Sequence, residues 1–338
     1  MARPVSGVAG GPRFAPTEAT VAGRNADVYF ARSRRILEAE GLDPVVVMEV
    51  FARRRALLCG MGEVHGLLAR VFPGGEAWSL AEGTWIQPLE VVLRLCGPYR
   101  AFGLYETALL GMLASGTGWA TAAAACVEAA AGRPVISFGA RHLHPDVSAR
   151  MEYAAVVGGC VGCATPAGAE LVGLEASGTI PHALILALGD TVRATQAFDR
   201  HMDPRVHRIA LVDTFRDEAE ESVRVAEVLG PRLWGVRLDT PSELGGVTPA
   251  LAQRVRDALD RAGQAHVRIV VSGGMTPDRI RDFAAAPVDA FGVGSHISGA
   301  AAVDFTADLK EVDGRPLAKR GRTPGRTANP RLERLELG

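Results

Sequence analysis

The sequence predicts an α/β protein, and two observations lead to this prediction. From residue 133 onward, short β-branched runs alternate with helical stretches, which is typical of βαβ crossovers and a parallel sheet. Before residue 113, helical and β-rich segments mix as in an α+β unit. The repeating units of the second part would either wind into a doubly wound sheet or close as an incomplete (β/α) barrel. The alternation alone does not separate these two arrangements.

The N-terminal part predicts a small domain behind a leader. Residues 1–21 are rich in Pro, Gly, Ala and Thr without the apolar core of a signal peptide, so we expect a flexible leader. Residues 27–41 have apolar positions at helical spacing and end in glycine. Residues 45–51 and 91–98 are β-rich. We therefore predict an α+β domain over 22–112.

The second part predicts a larger domain over 113–299, with residues 300–338 returning to pack on the first domain. Helical patterns lie between most of its β-branched runs, for example at 216–230 and 248–263. The seven runs that we predict as strands are 134–141, 155–165, 176–185, 208–215, 233–240, 267–274 and 289–296.

Charge and hydropathy exclude several classes of partner. The 338 residues carry 37 basic and 38 acidic side chains, so nothing global indicates nucleic acid or an anionic membrane. The most apolar helix candidate, residues 120–132, is too short and too weakly hydrophobic to span a bilayer. We expect no nucleic acid and no membrane among the partners.

Cysteine usage indicates a reducing compartment. Five cysteines are an odd number in a long chain, which does not resemble a disulfide framework. Cys160 and Cys163 form a lone CxxC without a second pair, so buried thiols are favoured over zinc. We expect a cytoplasmic protein without a structural metal site.

Residues with chemistry stand at or just beyond the ends of the predicted strands. Parallel barrels place their active sites at this edge and often bind phosphate after the last two strands. This favours the barrel. The residues are Arg141, Thr165, His182, Asp213, Arg237, Asp239, Ser272, Gly273, Gly274, Gly294 and Ser295.

Two glycine turns follow the last two predicted strands, Ser272-Gly273-Gly274 and Gly292-Val293-Gly294-Ser295. Glycine lets backbone N–H groups approach an anion, and a following helix N-terminus adds its dipole. Either turn alone would be an ordinary tight turn. Together at neighbouring strand ends they predict a phosphate cradle.

His182 follows a predicted strand in the segment GTIPH. A lone histidine there is often a structural residue. Asp213 and Asp239 on later strands favour a general base or a phosphoryl-carrying nucleophile, because a carboxylate orients an imidazole and raises its basicity. Arg141 and Arg237 are either surface residues or a fork for carboxylate or phosphate.

The motifs SFGAR, GTIPHALI, GDTVRATQAFD, GVRLDTPSE, VSGG and VDAFGVGSHIS run in an order that resembles the nicotinate phosphoribosyltransferase family, in its shorter archaeal and bacterial branch. The resemblance covers residues 27 to about 322. It implies the fold of type II phosphoribosyltransferases, an irregular seven-stranded (β/α) barrel beside an α+β domain, and a homodimer. It also implies joining of nicotinate to 5-phosphoribosyl-1-diphosphate, with Mg²⁺ and with ATP hydrolysis coupled through a phosphohistidine.

The resemblance implies a role for each matching residue. His182 corresponds to the phosphorylated histidine, Asp213 to the carboxylate beside it, and Arg237 with Asp239 to the pair near base and ribose. Phe138, Thr165 and Thr179 are predicted substrate contacts, Phe138 as a ring-stacking wall. Arg141 corresponds to the carboxylate binder, and Tyr29 resembles a tyrosine stacking on the base from a second subunit. The corresponding phosphate cradle comprises Gly273, Gly274, Gly294 and Ser295, and Ser272 and Gly292 of the same two turns are further predicted substrate contacts.

One segment departs from the family pattern. Val161 and Ala164 stand where the family has a carboxylate and a serine near the base. Loss of a buried polar pair changes which ring substituents a pocket tolerates. Two alternatives follow, a paralogue acting on another heterocyclic acid and a non-catalytic ligand-binding relative. Quinolinate is disfavoured because its decarboxylation needs a second basic pocket, and nicotinamide because Val161 cannot accept from its amide.

Overall fold

The computed structural model describes residues 14–338, and the chain divides into two compact units. The first comprises the described residues up to Thr121 together with residues 300–338. The second comprises residues 122–299. The predicted boundaries lie after residues 112 and 299.

The elements follow in chain order. The strands are β1 (Val45–Ala52), β2 (Ala56–Leu57), β3 (Glu76–Ser79), β4 (Trp85–Ile86), β5 (Val91–Pro98), β6 (Val135–Ser137), β7 (Gly162–Cys163), β8 (Arg208–Leu211), β9 (Leu233–Leu238), β10 (Arg268–Val271), β11 (Ala290–Val293), β12 (Phe305–Val312), β13 (Arg315–Pro316) and β14 (Glu333–Leu335). The helices are α1 (Glu18–Val21), α2 (Val28–Ala39), α3 (Met61–Val71), α4 (Tyr99–Phe102), α5 (Glu106–Ala129), α6 (Pro145–Val157), α7 (Pro166–Val172), α8 (His182–Leu188), α9 (Thr191–His201), α10 (Glu218–Leu229), α11 (Pro249–Arg261), α12 (Pro277–Asp282) and α13 (Ser295–Ser298). Short 3-10 turns lie at Gly103–Tyr105, Ala140–His142, Gly230–Arg232 and Ser242–Leu244.

The first unit is built on an antiparallel sheet of order β13-β12-β1-β5-β3-β14. Strand β1 lies between β5 and β12, so the N-terminal and C-terminal parts of the chain share one sheet. Its side chains are buried at every position after Val45, including Glu49, whose carboxylate pairs with Arg94 at 2.8 Å. A buried carboxylate needs such a partner because an uncompensated charge is costly in the interior.

The predicted leader is wrong for its last residues. Phe14 is buried, and α1 begins behind Thr17, whose hydroxyl accepts the N–H of Thr20 at 3.2 Å. A capped helical turn and a buried aromatic ring are structural features that overall Pro/Gly composition does not reveal. The rest of the predicted leader, residues 1–13, lies outside the described residues.

One helical stretch, Tyr99–Ala129, is long and apolar enough to cross a membrane by length and composition. A single stretch of this kind is a weak indication, because core helices of soluble proteins pass the same test. Leu109, Leu113 and Ala120 within it are fully buried.

The second unit is built on a parallel sheet of order β7-β6-β11-β10-β9-β8. Its strands are apolar on both faces, as in β10, where Ile269, Val270 and Val271 are all buried. Such continuous burial is expected when helices cover both faces of a parallel sheet. All six strands end at the same edge, so the residues that follow them meet there.

The helices that follow the strands begin with a repeated local signal. Thr165, Thr248 and Thr276 each precede a proline, and each hydroxyl accepts a backbone N–H of the first turn. Threonine at the N-cap satisfies a free donor, and proline at the first helical position has no N–H to satisfy. In these three cases the threonine-proline pair fixes the residue at which the strand-end loop ends and the helix begins.

The predicted count of seven strands is wrong, because six runs form strands and residues 176–185 do not. Gly178 and Pro181 interrupt this run, and α8 begins at His182. The run still contacts both sheet edges. Ser177 donates to the β7 carbonyl of Cys163 at 2.7 Å, and Ile180 packs with Leu211 of β8. The sheet is therefore a curled half-barrel whose gap holds an irregular segment.

The predicted strand over 155–165 is also shorter than expected. Helix α6 extends to Val157, and only Gly162 and Cys163 pair with β6. Ala154 and Ala155 are buried in that helix, and a short apolar run does not distinguish a buried helical segment from a strand.

Candidate active site

A cavity of about 650 Å³ opens at the carboxyl edge of the parallel sheet. It is lined by residues from the ends of five strands and from the irregular segment. The predicted site residues that line it are Phe138, Arg141, Thr165, Thr179, Arg237, Asp239, Ser272, Gly273, Gly274, Gly292, Gly294 and Ser295. The parallel topology thus brings most of the predicted residues to one place.

The turn after β10 has the backbone geometry that only glycine adopts without strain. Gly273 has φ of 89° and Gly274 has φ of 61°. Within residues 14–338, neither amide N–H donates to a protein acceptor. Two free donors in a turn that lines a cavity form a concavity suited to an anion.

The turn after β11 presents a second pair of free donors. Gly294 precedes α13, and the N–H groups of Gly294 and Ser295 also find no acceptor among the described residues. A Cβ on Gly294 would lie 2.9 Å from Cε1 of His142, so the backbone here lies against that ring. Both glycine turns therefore direct unpaired amides at the same cavity.

Gly292 has a different role from the predicted one. It lies within β11, and a Cβ there would be 2.2 Å from Cε2 of Phe138. The missing side chain makes room for this ring, so Gly292 shapes the apolar wall and does not belong to the phosphate cradle. Phe138 is held in turn by its N–H, which donates to Val293 at 2.8 Å.

A buried arginine forms the cationic side of the cavity. The side chain of Arg237 is 15% exposed, and its Nε is buried without a hydrogen-bond partner among the described residues. Its Cζ lies 5.8 Å from the centre of the Phe138 ring, and Nη2 lies 3.7 Å from Oδ2 of Asp239. Burial lowers the pKa of Arg237, while Asp239 and Asp213 oppose this shift. An anionic ligand would complete this group.

Ser272 orients Asp239. Its hydroxyl lies 3.0 Å from Oδ1 of Asp239 and 3.3 Å from the carbonyl oxygen of Leu238, and its side chain is buried. This places the serine below the carboxylate that lines the cavity. Arg141, in contrast, is exposed at the cavity rim after β6.

His182 lies outside the cavity lining, at the start of α8. Its Nε2 is 3.4 Å from Oδ2 of Asp213 and its Nδ1 is 2.9 Å from the hydroxyl of Thr214. The side chain of His182 is 41% exposed and that of Asp213 only 2%. Burial raises the pKa of Asp213, although His182 opposes the shift. Such a carboxylate favours a proton on the facing imidazole nitrogen.

Asp213 faces a second cavity, of about 710 Å³, formed at the ends of β8 and β9. Neither of its carboxylate oxygens has a hydrogen-bond partner within residues 14–338. The loop that carries Gly245, Gly246 and Thr248 forms the opposite wall. The imidazole of His182 is thus bound by two residues, Asp213 and Thr214, of this second cavity.

Thr165 lines the main cavity, but its hydroxyl is already engaged. It donates to Oε2 of Glu152 and accepts the N–H of Gly168 at 3.1 Å. Glu152 is fully buried in α6 and also accepts the N–H of Ala164 at 2.7 Å. The predicted substrate contact through the Thr165 hydroxyl is therefore a structural one, and Glu152 holds the end of β7 in place.

Two predicted positions are not part of the lining of this cavity. Tyr29 is in α2 of the first unit, 55% exposed, with its hydroxyl 3.3 Å from Oδ2 of Asp27. Val161 is 57% exposed in the turn before β7 and does not line the cavity, whereas Ala164 does. The expected effect of Val161 on ring recognition is therefore wrong for this cavity.

Sequence reasoning missed three residues at the site. Glu152 braces the end of β7, His142 contacts Ser298 at 3.2 Å beside the second turn, and Arg279 hydrogen-bonds the first turn. The pattern SFGARHLHP carried a signal for His142, because it continues the strand-end segment that contains Arg141. Nothing local marks Glu152 or Arg279.

The described part of the chain contains neither a multi-ligand metal cluster nor a thiol with a lowered pKa. Within residues 14–338, no group of three or more His, Cys, Asp or Glu side chains is arranged to hold a metal ion. The five cysteines are free thiols, and burial raises the pKa of Cys163 to about 11. A thiol with a raised pKa is a poor nucleophile at neutral pH.

Family comparison matches nearly the whole described chain. The family model for the C-terminal domain of quinolinate phosphoribosyl transferase matches residues 119–308, and the model for its N-terminal domain matches residues 27–116. A crystal structure of nicotinate-nucleotide pyrophosphorylase from Pyrococcus furiosus is similar with a TM-score of 0.87 and 44% identity, covering 93% of this chain and 81% of that one.

Several curated relatives are instead named nicotinate phosphoribosyltransferase. Nicotinate phosphoribosyltransferase pncB2 of Mycobacterium tuberculosis is 31% identical over 307 residues, covering 85% of this chain and 65% of the relative. Human nicotinic acid phosphoribosyltransferase has a similar fold, with a TM-score of 0.72 at 19% identity over 88% of this chain and 77% of that one. The α/β fold class and the family-level resemblance are confirmed.

Replacing Gly292 with alanine tests the packing of Phe138. The new methyl group would overlap the ring, and such overpacking costs about 1–3 kcal/mol. We expect Gly292→Ala to lower the free energy of unfolding by this amount in urea denaturation. Gly178→Ala is the control, because Gly178 lines the same cavity and a Cβ there meets no atom within 4 Å. Equal stability of the two variants would contradict the assigned packing.

Proposed function

Because the chain belongs to the quinolinate phosphoribosyl transferase family, we propose that it transfers the 5-phosphoribosyl group of 5-phosphoribosyl-1-diphosphate to the ring nitrogen of a pyridine carboxylic acid. Nicotinate is the favoured acceptor, and the products are nicotinate mononucleotide and diphosphate. The observation that supports this best is one cavity lined by two turns with free amides and by an arginine beside an aromatic ring.

The ribose 5-phosphate fits the two glycine turns. Gly273, Gly274, Gly294 and Ser295 offer unpaired N–H groups from neighbouring strand ends. Backbone donors held in a turn cost no rearrangement when the anion binds, and they are a recurrent phosphate site at the ends of parallel strands. The phosphate would then fix the ribose at the centre of the cavity.

The acceptor ring fits the wall formed by Phe138. Stacking on this ring and a two-point contact to an arginine would orient a pyridine carboxylate with its nitrogen towards the ribose. The arginines available in the lining are Arg141 and Arg237, and Asp239 already offsets part of the charge of Arg237. Residues 122–299 contain no lysine. One carboxylate is therefore matched better than the two of quinolinate.

Quinolinate is the second candidate, and the matching family models, which are those of quinolinate phosphoribosyl transferase, favour it. The 44% identical structure is named as a nicotinate-nucleotide pyrophosphorylase, and a human relative of that name is described as carboxylating. The two acceptors differ in whether CO₂ is released. A single assay therefore separates them.

The carboxylates suit the breaking of the C1–O bond. Positive charge develops on the ribose and negative charge on the diphosphate. Fixed carboxylates beside the ribose and cations beside the diphosphate therefore lower the barrier. Asp239 lines the cavity, and Asp213 lies nearby with no hydrogen bond to either oxygen beyond its ion pair with His182. These two residues suit Mg²⁺ that arrives with the diphosphate, because Mg²⁺ is usually held by one or two carboxylates together with phosphate oxygens.

The pairing of His182 with Asp213 suits ATP coupling through a phosphohistidine. The carboxylate holds a proton on Nε2, which leaves a lone pair on Nδ1 beside the Thr214 hydroxyl. The γ-phosphoryl group would be transferred from ATP to this nitrogen with release of ADP, and hydrolysis would return free histidine and phosphate. The side chain of His182 is 41% exposed, which leaves the ring accessible to ATP.

We propose that the protein is a cytoplasmic enzyme of NAD biosynthesis, because nicotinate mononucleotide is a precursor of NAD. A homodimer would allow Tyr29 of a second copy to stack on the ring, since its side chain is exposed. A paralogue acting on another heterocyclic acid, or a non-catalytic relative, would retain the phosphate cradle and differ in turnover.

Incubation of the full chain with 5-phosphoribosyl-1-diphosphate, Mg²⁺, ATP and one of nicotinate, nicotinamide or quinolinate tests the reaction. We expect chromatography to show nicotinate mononucleotide and diphosphate in equal amounts, formed with nicotinate only. Asp239→Asn should lower the rate by about 10²-fold or more, since it removes a charge at the reacting centre. Mononucleotide and CO₂ from quinolinate would support the second candidate. No turnover of any ring acid would contradict the enzyme.

Labelling with ATP that carries ³²P in its γ-phosphate tests the phosphohistidine. We expect an acid-labile, base-stable label on the wild type and none on His182→Ala. Labelling should fall as pH decreases through the raised pKa of Asp213, because protonation removes the partner of His182. This fall therefore lies above the pH at which an ordinary aspartate titrates. A label that persists on His182→Ala would contradict the assignment.

A further inference from the structure

Arg279 contacts the first glycine turn from outside the cavity. Its Nη1 donates to the carbonyl oxygens of Gly273 at 2.9 Å and Gly274 at 3.1 Å, and its Nη2 donates to that of Val247 at 2.9 Å. Arg279 lies in α12, and its own N–H donates to Thr276 at 3.3 Å. It is absent from the cavity lining. Any effect on a ligand must therefore pass through the turn.

These contacts fix the orientation of two peptide groups in the turn, including the one that carries the free N–H of Gly274. In a trans peptide the carbonyl and the following N–H point in opposite directions, and the described chain has no cis peptide bond. The carbonyl of Gly273 faces Arg279, so the N–H of Gly274 faces away from it. The same holds for the carbonyl of Gly274 and the N–H of Met275. A guanidinium behind the turn thus directs donors towards the cavity.

A turn of two glycines needs such a constraint. Gly273 and Gly274 both have positive φ, and glycine visits several backbone regions at similar free energy. Rotation of one peptide plane would turn a donor away and place a carbonyl oxygen against the phosphate. The two contacts of Arg279 with the turn oppose this rotation, and its contact with Val247 holds the guanidinium in place. Among the described residues no carboxylate pairs with Arg279, so its full charge also lies behind the turn.

We propose that Arg279 is a positioning residue that presets the phosphate turn and couples it to the loop at Val247. This inference rests on the proposed binding of a ribose 5-phosphate in the cavity. The loop Gly245–Thr248 borders the second cavity, which contains Asp213. The same guanidinium therefore joins the walls of both cavities.

Binding of nicotinate mononucleotide and of nicotinate riboside to the full chain, measured by calorimetry, tests the role of Arg279. The ratio of the two affinities reports the contribution of the 5-phosphate. We expect Arg279→Met to lower this ratio about tenfold or more, the effect of losing one or two charge-assisted contacts. Arg279→Lys keeps the charge but lacks the planar fork whose two nitrogens reach the turn and Val247 separately. In Arg279→Lys, the logarithm of the affinity ratio should regain less than half of the decrease seen in Arg279→Met.

Arg256→Met is the matched control. Arg256 also donates to two carbonyls, those of Val267 at 2.7 Å and Gln264 at 3.2 Å, but at the amino end of β10. It should lower thermal stability and leave the ratio unchanged. An unchanged ratio in Arg279→Met, or full recovery in Arg279→Lys, overturns the proposed positioning role.

The test separates this inference from the proposed function. If the wild type prefers the mononucleotide but turns over no ring acid, the proposed function is contradicted. The affinity ratio of the Arg279 variants still tests the positioning role in that case. If Arg279→Met does not fold, Arg279→Lys carries the test alone. An intact ratio in that variant would again overturn the proposal.

Discussion

Parallel alignment of six strands in residues 122–299 is the constraint on which the site depends. Parallel strands end at one edge, so residues that are far apart in the chain, such as Phe138 and Gly294, line one cavity. The alignment requires apolar strands covered on both faces and helices that start at defined points. The threonine-proline pairs before three of those helices provide such starts. The chemistry of the edge is thus a consequence of how the core is packed.

The edge contains polar groups that the protein leaves unpaired. Buried donors and acceptors are normally satisfied, and leaving one without a partner costs about 1–3 kcal/mol. Here the Nε of Arg237 is buried without a hydrogen-bond partner, and the buried carboxylate of Asp213 has only its ion pair with His182 at 3.4 Å. The more exposed amides of the two glycine turns also find no acceptor within residues 14–338. Their concentration at one edge indicates a ligand that is anionic at one end and carries donors or a metal ion at the other. A phosphorylated sugar with diphosphate has this distribution.

The composition of this edge could be predicted from sequence because its signals are local. Glycine pairs after apolar runs, the segment GTIPH and aspartates at strand ends are all visible in short windows, and most of these residues line the cavity. Contacts that depend on the folded path of the backbone could not be predicted. Glu152 and Arg279 act through backbone atoms elsewhere in the chain, and Gly292 serves a ring more than 150 positions away. Tyr29 stays a prediction, since its role depends on a second copy.

A crystal structure of the protein with nicotinate mononucleotide would test the central claim most directly, that the two glycine turns form one phosphate cradle. We expect the phosphate oxygens to lie at roughly 2.7–3.1 Å from the amides of Gly274 and Ser295, the normal range for a donor to an anion. The ring should lie against Phe138. A phosphate bound in the second cavity, or at Arg141 with the two turns left free, would contradict the account.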